Sequence, residues 1–146
     1  MNITEIRVKL IEVPGDKLRG FASLTIDNTL VIRDLKIIEG QRGLFVAMPS
    51  RKMQDRCSSC AAKNPLRSRY CNDCGARLSE RHLGNGRSRV RLYADIAHPI
   101  HQEGRDQVQQ QVVEAYQAEL DASRRDGWVA QRFDDLDYDA YGESAS

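Results

Sequence analysis

The stretch "FASLTIDNTLVIRDLKIIEGQRGLFVAMPSRK", residues 21–52, sets the architecture. "FASLTI" (21–26) and "LVIRDLKII" (30–38) are rich in β-branched and aromatic residues, and the polar "DNT" between them is a short hairpin signal. "EGQRG" (39–43) makes the next turn and "LFVAM" (44–48) the next strand. Pro49 then stops the pairing, because it has no N–H to give to a ladder. Upstream, "IRVKLIEV" (6–13) sets Ile6, Val8 and Leu10 against Arg7 and Lys9, the alternation of a half-buried strand. "PGDK" (14–17) turns that strand into the next. Four antiparallel strands in chain order form a meander, and "VRLYADI" (90–96) is expected to add a fifth.

Past residue 102 the period changes from two to nearly four. Val108, Val112, Tyr116 and Leu120, with Ala115, form one apolar face of a helix. Arg124 and Arg125 suit the negative end of its dipole and Gly127 its C-terminal cap, while Gly104 costs the first turn about 1 kcal/mol. The expected fold class is therefore α+β: a meander of about five strands followed by a C-terminal helix. Beyond it, 128–146 is acidic and aperiodic and is expected to be disordered, with Trp128 and Phe133 as candidates to dock.

All four cysteines lie in "CSSCAAKNPLRSRYCNDCG" (57–75), inside the region that interrupts the last hairpin. Cys57-x2-Cys60, ten residues, then Cys71-x2-Cys74 is the spacing with which two thiolate pairs surround one tetrahedral zinc. Gly75 follows the second pair, where the turn needs a positive φ, and Ser58, Ser59, Ala61 and Ala62 leave room for N–H groups near sulfur. A redox C-x-x-C would want a βαβ setting, which is missing, and a disulfide scaffold would want an oxidising compartment. "MNITEIRVKL" has no apolar core of a signal peptide and no apolar run approaches 18 residues, so a cytoplasmic protein without a membrane span is expected. Four sulfurs would close the shell and make the zinc structural, one per chain. The pattern, ending "CGARL", resembles zinc-ribbon modules attached to many proteins.

The resulting organisation is 1–53, first part of the β core; 54–90, inserted ribbon; 91–127, last strand and helix; and 128–146, acidic tail. Charge follows the same divisions. Residues 51–91 hold eleven Lys/Arg against three acids, a net +8, whereas 126–146 hold one Arg against six acids, a net −5. Four thiolates with Zn2+ would lower the basic segment by two and leave it basic.

"GDKLRGFASLTID", "VIRDLKIIEG", "GLFVAMPSRK" and "DIAHPI" (95–100) followed by a helix resemble the SpoVG (stage V sporulation protein G, septation protein) family. The family has a short loop where this chain carries its cysteines, and the acidic tail is a second departure. The resemblance implies a small meander-plus-helix protein that dimerises, binds DNA and RNA as a regulator in sporulation and septum formation, and has no catalytic activity. The basic pair Arg51 and Lys52 carries over; Arg56, in the inserted part, matches only loosely.

A nucleic-acid surface would use Arg51, Lys52, Arg56, Lys63, Arg67, Arg69, Arg77, Arg87, Arg89 and Arg91, because arginine pairs well with phosphate. Tyr70 has two readings, stacking on a base or packing inside the ribbon. Such a loop can also be simple solvated surface, or can dock onto an acidic protein partner, which makes the protein an adaptor. An open sheet edge also invites a homodimer. His82, His98 and His101 are the only imidazoles; no nucleophile pairs with them, His98 belongs to the family pattern, and His101 begins the helix.

Overall fold

The computed structural model describes residues 1–78 and 92–131. It divides into two compact units, Met1–Pro49 with the chain from Ala97 onward, and Ser50–Ile96. The first unit is a sheet of β1 (Ile3–Leu10), β2 (Leu18–Ile26), β3 (Leu30–Gly40) and β4 (Gly43–Ala47), with the helix α1 (Gln102–Ser123) packed against β1 and β4. The strands pair antiparallel in chain order, as the meander requires.

Local chemistry explains each turn of this sheet. Asp27 and Asn28 adopt φ of 53° and 52°, and the Thr29 N–H reaches the Ile26 carbonyl at 2.9 Å. This is a type I′ turn, whose twist matches that of the strands, built from residue types that tolerate left-handed backbone. In β3, Ile32 packs on the core and so do Leu35 and Ile37, although the first two are three positions apart. A strict alternation would put Ile32 and Leu35 on opposite faces. The register slips between Ala22↔Leu35 and Leu24↔Ile32, and Asp34 (φ 62°) is the extra residue of the resulting bulge. Gly20 is obligatory: a Cβ there would lie 2.8 Å from the Lys9 carbonyl oxygen.

Val8, Ala22, Leu24, Leu35 and Ile37 of the sheet meet Val108, Val112 and Tyr116 of the helix in one buried core. The helical stripe is the expected one, with Ala115 and Leu120 half-buried beside it. His101 caps α1, its Nδ1 accepting the Gly104 N–H at 3.0 Å. The absent Gly104 side chain matters, since a Cβ would approach the His101 ring and Pro99 to 3.3 Å. The helix ends at Ser123 with Arg124 as its cap, and Gly127 turns the chain beyond it at φ 81°.

Side-chain amides cover parts of both outer strands. Gln109 of α1 accepts the Val46 N–H at 2.8 Å and donates to the Leu44 carbonyl at 2.9 Å, behaving like a short stretch of strand beside β4. On β1 the Val8 N–H donates to Gln131 Oε1 at 2.7 Å. Three residues earlier, the Trp128 indole donates to the buried Glu119 carboxylate at 2.8 Å. The start of the acidic tail is thus tied to the first unit, Trp128 included. Phe133 lies outside the described residues.

The second unit contains β5 (Ser50–Lys52), β6 (Gln54–Arg56), β7 (Lys63–Pro65) and β8 (Tyr93–Asp95). The expected fifth strand is represented among the described residues by β8, which does not extend the four-stranded sheet. It pairs with β5, in register Ser50↔Asp95, Arg51↔Ala94 and Lys52↔Tyr93. The reason is Pro49, which ends the β4 ladder so that the next residues pair separately. The cysteine segment lies between these two strands. No helix among the described residues is long and apolar enough to cross a membrane.

Candidate metal centre and basic surface

The two cysteine pairs form matching turns. In the first, the Cys57 N–H donates to the Ala62 carbonyl at 2.8 Å and the Ala61 N–H to the Cys57 carbonyl at 2.9 Å. The second repeats this, with Cys71 N–H to Ala76 at 2.8 Å and Gly75 N–H to Cys71 at 3.1 Å. The fifth residue of each turn has a positive φ, 64° at Ala61 and 76° at Gly75. Glycine meets that demand without strain and alanine does not. β6 and β7 pair antiparallel across the first turn, and Tyr70 and Arg77 form an isolated bridge across the second.

These turns bring four sulfurs within 4.8 Å of one another. Cys57 Sγ lies 3.7 Å from Cys74 Sγ, and Cys60 Sγ lies 3.5 Å from Cys71 Sγ. A tetrahedron with metal–sulfur bonds of about 2.3 Å has edges of about 3.8 Å, so the separations fit one soft metal ion held by all four thiolates. All four cysteines are free thiols, Cys57 and Cys71 buried, Cys60 and Cys74 exposed.

N–H groups around the sulfurs prepare them to carry charge. The Cys71 thiol is lowered to about 6, chiefly by the Cys74 N–H, then by the Asn64 amide and the Asp73 N–H. Cys57 is lowered by the Cys60 and Ser59 N–H groups. At Cys60 the Ala62 N–H favours the thiolate, but the adjacent Cys71 sulfur and burial outweigh it and raise the thiol to about 12. Four neighbouring thiols cannot all ionise together without a cation among them.

Asn64 is the residue that spacing did not reveal. Its side chain is buried, donates to Cys71 Sγ at 3.4 Å and to the Ala62 carbonyl at 3.2 Å, and accepts the Asn72 N–H at 2.9 Å. It locks one cysteine turn to the other and orients the sulfur of Cys71. A lone polar residue before Pro65 carries no signal by itself; only the β6–β7 pairing turns it inward.

Around this centre the basic side chains Arg51, Lys52, Arg56, Lys63, Arg67, Arg69 and Arg77 are all exposed. Arg56 Nη1 donates to the Ala61 carbonyl at 3.3 Å and closes over the first cysteine turn. Arg67, Arg69, Tyr70 and Arg77 line a cleft of about 690 Å³ with Leu66 and Leu78. Tyr70 is 60% exposed there. A smaller cleft of about 190 Å³ joins Lys52 and Tyr93 to Arg67. Arg67 therefore belongs to both, and Tyr93, 54% exposed, is a second aromatic that the sequence did not single out. Arg87, Arg89 and Arg91, and also His82, lie outside the described residues. His98 is exposed with Nδ1 3.0 Å from the Pro99 carbonyl oxygen.

A four-stranded meander closed by one helix, interrupted after its fourth strand by a four-cysteine module, defines a small α+β protein whose inserted sulfurs are placed where they could hold a metal ion. The SpoVG family model matches residues 1–118, a span that crosses the cysteine module and ends inside α1. Relatives named as septation protein SpoVG match most of the chain. That of Lachnospira eligens is 38% identical over 117 residues, covering 80% of this chain and 92% of the relative. That of Caldicellulosiruptor bescii is 36% identical over 122 residues, covering 84% and 98%. That of Bdellovibrio bacteriovorus is 37% identical over 120 residues, covering 82% and 77%. The chain belongs to the SpoVG family.

Proposed function

We propose that this protein is a non-enzymatic, cytoplasmic regulator that binds DNA or RNA, acting in septation or sporulation as its relatives' name suggests. Its inserted module is a ribbon holding one structural zinc. Four sulfurs leave no open coordination position for a substrate, which suits a structural ion and not a catalytic one. Zinc bound by Cys57, Cys60, Cys71 and Cys74 supplies the ribbon's folding energy, and Arg56, Lys63 and the arginines of the larger cleft line up around it. A second copy of the chain completes the proposal. Among the described residues, the amides of Gln109 and Gln131 occupy only part of each sheet edge, which leaves stretches of β1 and β4 for pairing.

The observation that carries the binding reading is the position of Arg67 in both clefts. It joins Lys52, at the base of the hairpin, to Arg69, Tyr70 and Arg77 on the ribbon. Phosphates along one backbone can then meet both groups, with Tyr70 and Tyr93 available to unpaired bases.

The test is a salt-resolved comparison of duplex DNA, single-stranded DNA and RNA. About five neutralised phosphates give a log–log slope of about −4.5 on duplex DNA, and Arg67→Ala with Arg69→Ala flattens it by about two. An unchanged slope would remove the ribbon from nucleic-acid binding and favour the adaptor reading, in which the same arginines meet an acidic protein. Light scattering that finds only monomer at micromolar concentration would end the dimer proposal.

A further inference from the structure

The face of the four-stranded sheet turned away from α1 carries a pattern that the ribbon does not explain. Val8, Ala22 and Leu35 point into the core, so their strand neighbours point the other way. The register puts those neighbours in one row across all four strands: Lys9↔Phe21, Phe21↔Lys36 and Lys36↔Ala47. Phe21, half-buried, is thus flanked by two exposed lysines. In the adjacent row Ile38 pairs with Phe45, whose ring is 44% exposed and lies over Gly40. Lys9 and Lys36 carry no ion pair among the described residues, while the nearby Glu5 is held by Arg7 at 2.6 Å.

We propose that this face is a second nucleic-acid surface, specific for unpaired strands: Phe21 and Phe45 stack bases while Lys9 and Lys36 hold phosphates. The proposal rests on the nucleic-acid reading above but uses a different surface. Rings on a sheet cannot reach bases already stacked in a duplex, whereas every unpaired base offers a π-face. Phe21 and Phe45 stand two strands apart on β2 and β4 and one row apart along them, roughly 12 Å in all. That exceeds the ~3.4 Å step between stacked bases, so the strand lies splayed over the sheet. Charge argues against a second copy as the occupant. A two-fold packing of this face on itself gathers four lysines, Lys9 and Lys36 of each copy, into one interface, and neither has an ion-pair partner among the described residues of its own chain.

The experiment measures anisotropy of a labelled oligo-dT and of a duplex of equal length against the full-length chain, over a range of salt. Lys9→Gln with Lys36→Gln changes two exposed side chains and leaves the core alone. The expected result is weaker oligo-dT binding with a slope flatter by about 1.4, and duplex binding unchanged. Phe45→Leu keeps the apolar contact with Gly40 but loses the ring, and weakens oligo-dT by about 5- to 150-fold. Photocross-linking with 5-iodouracil in the oligonucleotide should label the peptides carrying Phe21 or Phe45. Unchanged oligo-dT affinity in both variants, or equal loss on duplex and single strand, overturns the proposal. So does a dimer that dissociates on Phe45→Leu, since the face would then be the self-interface. If Arg67→Ala with Arg69→Ala weakens duplex binding while the sheet variants change nothing, this inference fails and the ribbon reading stands. If wild-type protein binds no nucleic acid, both fail.

Discussion

In the sheet-and-helix unit, eight apolar side chains from Val8 on β1 to Tyr116 on α1 are buried against one another. In the unit spanning Ser50–Ile96, the buried side chains among the described residues are Cys57, Asn64 and Cys71. The first unit has an area term, about 1.5–3 kcal/mol for each large aliphatic side chain removed from water. The second has three-residue strands and almost no apolar interior, so its ordering must be offset by something other than burial. Its buried groups are two thiols and the amide that touches one of them. The difference is one of where buried groups lie: spread over eight apolar side chains in the first unit, gathered at the cysteine cluster in the second.

The sharpest way to break this comparison is Cys71→Ser. Zinc bound at four cysteines contributes on the order of 10–16 kcal/mol to small modules of this kind, and losing it should unfold the ribbon completely. Amides of β6 and β7 should then lose hydrogen-exchange protection while those of β2 and β3 keep it. Elemental analysis should give one zinc per wild-type chain. Less than half an equivalent in freshly purified, reduced protein would defeat the metal half of the argument.

Acid should act on the same unit alone. Cys71 titrates at about 6 in the folded ribbon against 9.0 for an ordinary thiol, so its folded value is depressed. Its stabilising contribution is complete above the ordinary value and is lost as pH falls through about 6. Zinc affinity, read by competition with a chromogenic chelator, should fall about tenfold per pH unit from 9 to 6, because the Cys60 thiol, raised to about 12, must give up its proton to bind. The denaturant midpoint of the sheet unit should stay level over that window.

Leu35→Ala addresses the other half. Leu35 is fully buried beneath α1, and its truncation should cost about 2–5 kcal/mol by denaturant unfolding. Zinc content should not change. Loss of zinc in this variant would mean that the two units fold as one.

A smaller effect is expected at Asn64→Ala. The substitution leaves the Asn72 N–H without its acceptor and Cys71 without a donor, at a cost of about 1–3 kcal/mol, and it should weaken zinc by about 10–100-fold. Wild-type affinity in that variant would reduce Asn64 to a spacer.

The smallest change is Ala61→Gly. Ala61 holds φ 64° where its counterpart is Gly75, so glycine should stabilise the first cysteine turn by about 1 kcal/mol. A destabilised ribbon would show that the Ala61 methyl packs more than it strains.

Much of this was legible in the sequence because it is written in local rules. Alternation of two placed β1 to β4, a spacing of four placed the buried stripe Val108, Val112 and Tyr116, and C-x-x-C pairs placed the sulfurs. These signals depend on neighbours close along the chain, and family resemblance reinforced them. Tertiary structure decided what depends on distant partners. Asp34 reads as an ordinary polar residue until the register across β2 makes it a bulge that returns Ile32 and Leu35 to one face. Arg67 is one arginine among many until folding puts it in the clefts of both Lys52 and Tyr70. β8 carries a strand pattern, but its partner was settled by Pro49 ending one ladder and Ser50 beginning another. Periodicity reports which face a residue takes within its own element; only the packed chain selects the partner across it.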